Sequence, residues 1–237
     1  MALPKLNETP KYDLVIPSTQ QNVRFRPYLV KEEKILMMAN ESKDVKAGLR
    51  AVVDTLSAVI DDNFSVNDLT LFDVEYMFTK VRAKSVGETS KVIGTCEECE
   101  KDTELDLNLD EIEIPKVTEN GVIELTENVS VEMKYPTWLS TLNSTKIFDT
   151  ELTEIEKMLD LIADSMHTIL TEEERINVKE EPRDAVNAFI ESMSVEQLDK
   201  LKNFLDGMPV VEKKVNFKCS HCSHDNSLMI RNISDFF

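Results

Sequence analysis

The chain has 237 residues, with 27 basic against 45 acidic side chains, and its net charge of −18 favours solubility while opposing attachment to a phosphate backbone. Hydrophobic residues make up 41%, enough for a buried core over one or two domains, and no apolar run approaches the roughly 20 residues needed to cross a membrane. There are five glycines and no G-x-G-x-x-G or G-x-x-x-x-G-K-[ST] pattern, so the sequence offers no phosphate cradle for nucleotide chemistry.

Residues 11–27 read as a β-hairpin or a pair of short strands, Tyr12 to Ile16 and Val23 to Pro27, with a break at Pro17-Ser18. Apolar residues recur at helical spacing from Val30 to about Ile60, with an interruption around Asn40 to Asp44. A second amphipathic stretch runs from Leu69 to about Lys84 and is stopped by Gly87. Ser90 to Gly94, followed by the alternating Asp102 to Leu109, predicts a hairpin with Cys96 and Cys99 at its tip.

Gly121 to Lys134 reads as a small hairpin turning at Glu127-Asn128, and Pro136 ends it. Leu152, Ile155, Leu159, Ile162, Met166 and Ile169 follow at alternating three- and four-residue steps. That seam is too short for a coiled coil and predicts a helix packed in its own domain, with His167 beside it as a structural residue. Glu172, Glu173, Glu174, Glu180 and Glu181 form an acidic run expected to be solvated rather than to perform acid–base work. Ser194 and Gln197 form a capping box, Leu198, Leu201, Phe204 and Leu205 an apolar face, and Gly207 with Pro209 a stop. The chain then enters a second hairpin, with Val215 and Phe217 on one face before Cys219 and Cys222, and Ser227 to Ile230 after them.

All four cysteines lie in two pairs, Cys96-Glu-Glu-Cys99 and Cys219-Ser-His-Cys222. Two residues between thiolates let a short turn aim both sulfurs at one ion about 2.3 Å away, and two such turns complete a tetrahedral four-sulfur Zn²⁺ site. The absence of a signal peptide and the length of the chain argue against a disulfide framework. A redox pair is disfavoured because Glu97, Glu98 and Glu100 oppose thiolate formation unless a cation is bound. His221 and His224 are read as bystanders or supports, with substitution for a sulfur left open. The 119 residues between the pairs make the expected site a structural staple, a zinc ribbon split by a long insertion. Beyond it, Asn232 to Phe237 ends in two aromatics, Phe236 and Phe237, the candidate partner-binding residues: either Ile233 and Phe236 fold back on the ribbon, or Phe237 anchors a neighbouring subunit.

Val23-Arg-Phe-Arg-Pro-Tyr-Leu-Val-Lys-Glu-Glu-Lys-Ile-Leu-Met-Met-Ala39, then Phe72-Asp-Val-Glu-Tyr-Met-Phe78 and Arg82-Ala-Lys-Ser-Val-Gly-Glu88, resemble the baseplate hub protein family of T-even-like contractile-tailed phages. The two Cys-x-x-Cys pairs, a helix ending in Met208-Pro209 and the terminal Phe236-Phe237 fall in that family's order, while residues 110–195 add little to the likeness. The resemblance implies a hub subunit or hub assembly factor, found in the virion tail baseplate or in the host cytoplasm during assembly. Its implied partners are other hub or tail proteins.

The expected fold is α+β, with helical regions, short β-hairpins and a split four-cysteine ribbon. Its expected segments are 1–88 (β-element and helices), 89–135 (first zinc hairpin and small hairpin), 136–207 (helical insertion) and 208–237 (second zinc hairpin and tail). No catalytic constellation is visible, so a non-enzymatic protein acting through protein contacts is expected, without nucleic-acid or membrane binding. The competing readings are a transcription-type zinc ribbon that binds nucleic acid or polymerase, for which the charge favours the protein partner, and a Cys-x-x-Cys redox protein. Net charge bears on the first and metal content on the second.

Overall fold

The computed structural model describes residues 9–61, 65–113, 117, 121–144 and 151–231. In chain order its regular elements are β1 (Tyr12–Val15), β2 (Asn22–Phe25), α1 (Val30–Ser42), α2 (Val45–Val59), α3 (Leu71–Ser85), β3 (Thr89–Thr95), β4 (Asp102–Asn108), β5 (Val122–Glu124), β6 (Val129–Met133), α4 (Trp138–Asn143), α5 (Glu154–Ser165), β7 (Met166–Thr171), β8 (Arg175–Asn177), α6 (Arg183–Glu191), α7 (Val195–Asp206), β9 (Lys213–Lys218) and β10 (Asp225–Ile230). The chain divides into two compact units, one of residues 1–116 with 210–237 and one of residues 117–209. The mixture of helices and short antiparallel sheets is the α+β class expected from the sequence.

In the first unit β1 and β2 pair in an antiparallel hairpin, Tyr12 opposite Phe25 and Leu14 opposite Val23, which turns Leu14, Val23 and Phe25 inward. The hairpin is tied to the end of α2 by the Arg26 amide on the Val59 carbonyl (3.0 Å) and the Asp61 amide on the Arg24 carbonyl (2.9 Å). Helix α2 buries Val52, Leu56 and Val59 along one stripe, and α3 buries Phe72, Met77 and Val81. The predicted break between α1 and α2 occurs at Lys43 and Asp44: Lys43 takes a left-handed backbone (φ 55°), and the Asp44 side chain caps α2.

Two carboxylates organise this unit. Asp73, fully buried, caps α3 by accepting from the Thr70 amide and hydroxyl, and it also receives the Ser18 amide (2.8 Å) and hydroxyl from the turn after β1. Glu32, the buried residue of α1, meets the Arg26 guanidinium at 2.8 Å and the Leu29 amide at 2.9 Å. Burial pushes its carboxyl up, but hydrogen bonds from Arg26, Leu29 and Lys31 outweigh that and hold it at about 2. The rest of α1 carries Val30, Ile35, Met37 and Met38 exposed.

The second unit is a four-stranded antiparallel sheet, β5-β6-β7-β8, packed with α5, α6 and α7. Val131, Ile162 and Leu201 lie at the centre of its core, fully buried. Arg183, at the start of α6, ties that helix to α5 through Asp160 and Asp164. The capping box at Ser194 and Gln197 forms as expected, and the Gln197 amide also reaches the Leu125 carbonyl at 3.0 Å. Tyr135 stacks on Phe204 with ring centroids 4.6 Å apart.

This unit corrects one sequence expectation: the apolar seam from Leu152 to Ile169 is not one helix. Helix α5 stops at Ser165, and Met166 to Thr171 form β7, paired on both edges, with Ile169 opposite Val131 on one side and Ile176 on the other. The helical spacing runs on past Ile162, on α5, because Met166 and Ile169 are both buried on β7 although they stand three residues apart. The segment's threonines and isoleucine also fit a pleated strand. The insertion is therefore not wholly helical, and the small hairpin of β5 and β6 is part of its sheet. The acidic run is solvated as expected: all five glutamates are exposed, three of them at the turn before β8. His167 lies on β7, its Nδ1 2.9 Å from the Thr168 hydroxyl.

Asp73→Ala should lower unfolding free energy by about 2 kcal/mol, because it removes a helix cap and leaves the half-buried Ser18 and Thr70 donors without their shared acceptor; urea titration with a constant slope is the measurement. Glu32 has a folded value below its unfolded one, so its stabilisation is present above about 4.5 and lost as pH falls towards about 2. Glu32→Gln should therefore flatten the acid limb of a stability-against-pH curve between those values.

Candidate metal centre

Each cysteine pair sits in the turn of a hairpin whose register is fixed by its strands. β3 and β4 pair from Thr89 opposite Asn108 to Thr95 opposite Asp102, and β9 and β10 pair from Lys213 opposite Ile230 to Lys218 opposite Asp225. Beneath them Ala83, Val92, Leu107, Leu109, Ile112, Val211 and Ile230 form a shared apolar cluster. Gly94 permits the close approach of the two hairpins: a Cβ there would stand 2.7 Å from the Phe217 ring.

The two turns repeat each other bond for bond. The Cys96 amide donates to the Lys101 carbonyl (3.0 Å) and the Glu100 amide to the Cys96 carbonyl (3.0 Å). In the second turn the Cys219 amide donates to His224 (2.9 Å) and the Ser223 amide to Cys219 (3.0 Å). Glu100 (φ 56°) and Ser223 (φ 61°) occupy the left-handed conformation needed to close each turn. Asp102 accepts from the Thr95 hydroxyl at 2.8 Å, and Asp225, at the matching place, lies 3.7 Å from the Lys218 ammonium.

These turns bring Cys96, Cys99, Cys219 and Cys222 together, with all four sulfurs within 4.8 Å of one another. Sγ of Cys96 is 3.6 Å from that of Cys222, and Sγ of Cys99 is 3.5 Å from that of Cys219. A tetrahedral ion with sulfur ligands at about 2.3 Å requires sulfur–sulfur edges of roughly 3.8 Å, so the dimensions of the cluster suit such an ion to within about 1 Å. The group contains neither His221 nor His224, and both side chains are exposed. The first cysteine of each pair is buried, whereas Cys99 is half-buried and Cys222 exposed.

The electrostatics of the cluster call for a cation. Backbone amides of Cys222 and His221 favour the Cys219 thiolate and bring its thiol down to about 6. Cys222 has the His224 amide in its favour, but desolvation and the other three sulfurs push it up to about 12. Amides of Cys99 and Glu98 and the Asn226 side chain overcome desolvation to lower Cys96. Four sulfurs this close oppose one another's ionisation, and a divalent ion held among them would relieve that repulsion. Four thiolates fill a tetrahedron, which suits a structural role and leaves no coordination position for water.

Two residues of the centre escaped the sequence reading. Asn226, buried on β10, accepts the Glu97 amide at 3.0 Å and places its side-chain nitrogen 2.9 Å from the His224 carbonyl and 3.5 Å from Sγ of Cys96. Thr103, buried on β4, accepts the Ser220 amide at 3.2 Å. Their signal was present as a repeat, Cys-x-x-Cys-x-x-Asp followed by Thr103 in one copy and Asn226 in the other. Phe236 and Phe237 lie outside the described residues.

No curated protein and no solved structure matches the chain. A family model described as T4 bacteriophage base plate protein matches residues 9–237, a span that takes in both units, both cysteine turns and the hairpins that carry them. That match covers nearly the whole chain, and the protein belongs to the T4 bacteriophage base plate protein family.

Proposed function

We propose that this chain is a structural or assembly protein of the central hub of a contractile-tail baseplate, held in shape by a Zn²⁺ ion on Cys96, Cys99, Cys219 and Cys222 and acting through contacts with other hub or tail proteins. The observation that carries the reading is the family match along nearly the full chain. The closed four-sulfur cluster supports a staple rather than a reactive metal, since zinc catalysis needs an open position for water or substrate. Among the soft-ligand metals, Zn²⁺ suits a tetrahedral S₄ set that must hold its geometry without redox change.

A protein partner agrees with the surface. The net charge disfavours nucleic acid, while α1 presents Val30, Met37 and Met38 to solvent, apolar side chains of the kind that a neighbouring subunit covers. Among the described residues no helix is long and apolar enough to cross a membrane. The ribbon alone would also suit a transcription-type protein-binding factor, and the cysteines a redox protein; the family match favours neither.

Mass spectrometry of purified tails and of free hub intermediates tests the function: the chain is expected in at least one of them, and absence from both would refute the hub assignment. Metal analysis of freshly purified protein should give about one zinc per chain, and Cys219→Ser should lower the melting temperature substantially because structural zinc contributes folding free energy. Fully folded, metal-free native protein would refute the staple. Hydrolase, nuclease and disulfide-exchange assays should remain at background. Removing Phe236 and Phe237 should leave zinc content and melting temperature nearly unchanged while weakening hub assembly if they anchor a partner; a large loss of monomer stability would place them in the core instead.

A further inference from the structure

The cysteine turns are related by an approximate twofold exchange that extends beyond the sulfurs. Thr103 and Asn226 each stand seven residues after the first cysteine of their own turn. Each is only 8% exposed and lies on the strand leaving that turn. Each reaches across to the opposite hairpin and accepts the backbone N–H of the residue that follows the first cysteine there. Thr103 Oγ1 takes the Ser220 amide at 3.2 Å, and Asn226 Oδ1 takes the Glu97 amide at 3.0 Å. The Ser220 hydroxyl, 3.3 Å from that of Thr103, adds a further polar contact to one arm.

We propose that Thr103 and Asn226 form a reciprocal clasp that fixes the two cysteine turns face to face, making them the positioning residues of the four-sulfur centre. Each bond joins a backbone donor to a neutral side-chain oxygen, so neither depends on thiol ionisation or on a metal. The crossed pattern constrains the hairpins more tightly than either bond alone, because sliding one hairpin along the other would break both acceptors' geometry together. The Asn226 amide is oriented by the same contact: its oxygen must face the Glu97 N–H, which turns its nitrogen towards the His224 carbonyl and Sγ of Cys96. Asn226 thereby adds an N–H donor to a ligand sulfur, the kind of support that fixes ligand direction and retention.

The effect on metal retention rests on the zinc reading given above; the clasp itself does not. Both are tested by amide hydrogen exchange on the full chain, with and without zinc, and by zinc competition against a chromophoric chelator. In the wild type, the Glu97 and Ser220 amides should exchange at least tenfold more slowly than an unstructured chain, in both metal states. Thr103→Val should release the Ser220 amide and Asn226→Leu the Glu97 amide, each in the hairpin that does not carry the substitution, while Thr103→Ser should remain close to wild type. Zinc affinity should fall about tenfold in each of the two apolar variants. Unprotected Glu97 and Ser220 amides in the wild type would overturn the clasp even if a variant failed to fold, as would variants whose effects stay within their own hairpin. A crossed pattern in a chain that binds no zinc would refute the metal reading and leave the clasp standing; one zinc per chain without a crossed pattern would do the reverse.

Discussion

The first unit depends on the meeting of two hairpins that are far apart in sequence. Local propensity shapes each turn, but only their apposition over Val92, Leu107, Val211 and Ile230 brings four sulfurs to one point. Bringing such distant segments together carries a loop-closure cost that grows slowly with length, and a bond that spans the loop opposes it most effectively when the intervening chain is long. A tetrahedral ion is suited to that task because it fixes distance and direction together, whereas the apolar cluster fixes neither sharply.

The centre is also asymmetric in its access to solvent. Buried Cys96 and Cys219 receive most of the N–H support, while Cys99 and Cys222 stand at the rim. Carboxylates stabilise the same unit by accepting from donors that would otherwise be stranded: Asp73 gathers four from two segments, and Glu32 meets Arg26 in the first turn of α1. Much of the remaining negative charge lies on exposed carboxylates, whereas α1 exposes the apolar side chains of Val30, Ile35, Met37 and Met38.

Much of this architecture was legible in the sequence because local chemistry sets it. Alternation marked the strands flanking each cysteine pair, the interruption around Asn40 to Asp44 marked the break between α1 and α2, Ser194 announced a helix start, and the Cys-x-x-Cys spacing named all four members of the cluster before their proximity was visible. β7 was missed because it is a central strand: its pairing with β6 lies outside any local window, its short hairpin with β8 turns within a run of glutamates, and its apolar positions continue the helical spacing of α5. Thr103 and Asn226 were missed for a different reason. Their residue types are ordinary at strand ends, and only superposing the two cysteine turns shows that they occupy one position twice.

The insertion between the hairpins also imposes an order on synthesis. Residues 117–209 have a core of their own and leave the ribosome between the two halves of the ribbon. At roughly 5–20 residues per second, the first cysteine pair waits about 6–24 s for its counterpart. During that interval Cys96 and Cys99 are a nascent dithiol beside three glutamates, whose charge disfavours the thiolate that stray oxidation would require. The acidic first turn thus disfavours oxidation of the half-built site until the second turn arrives.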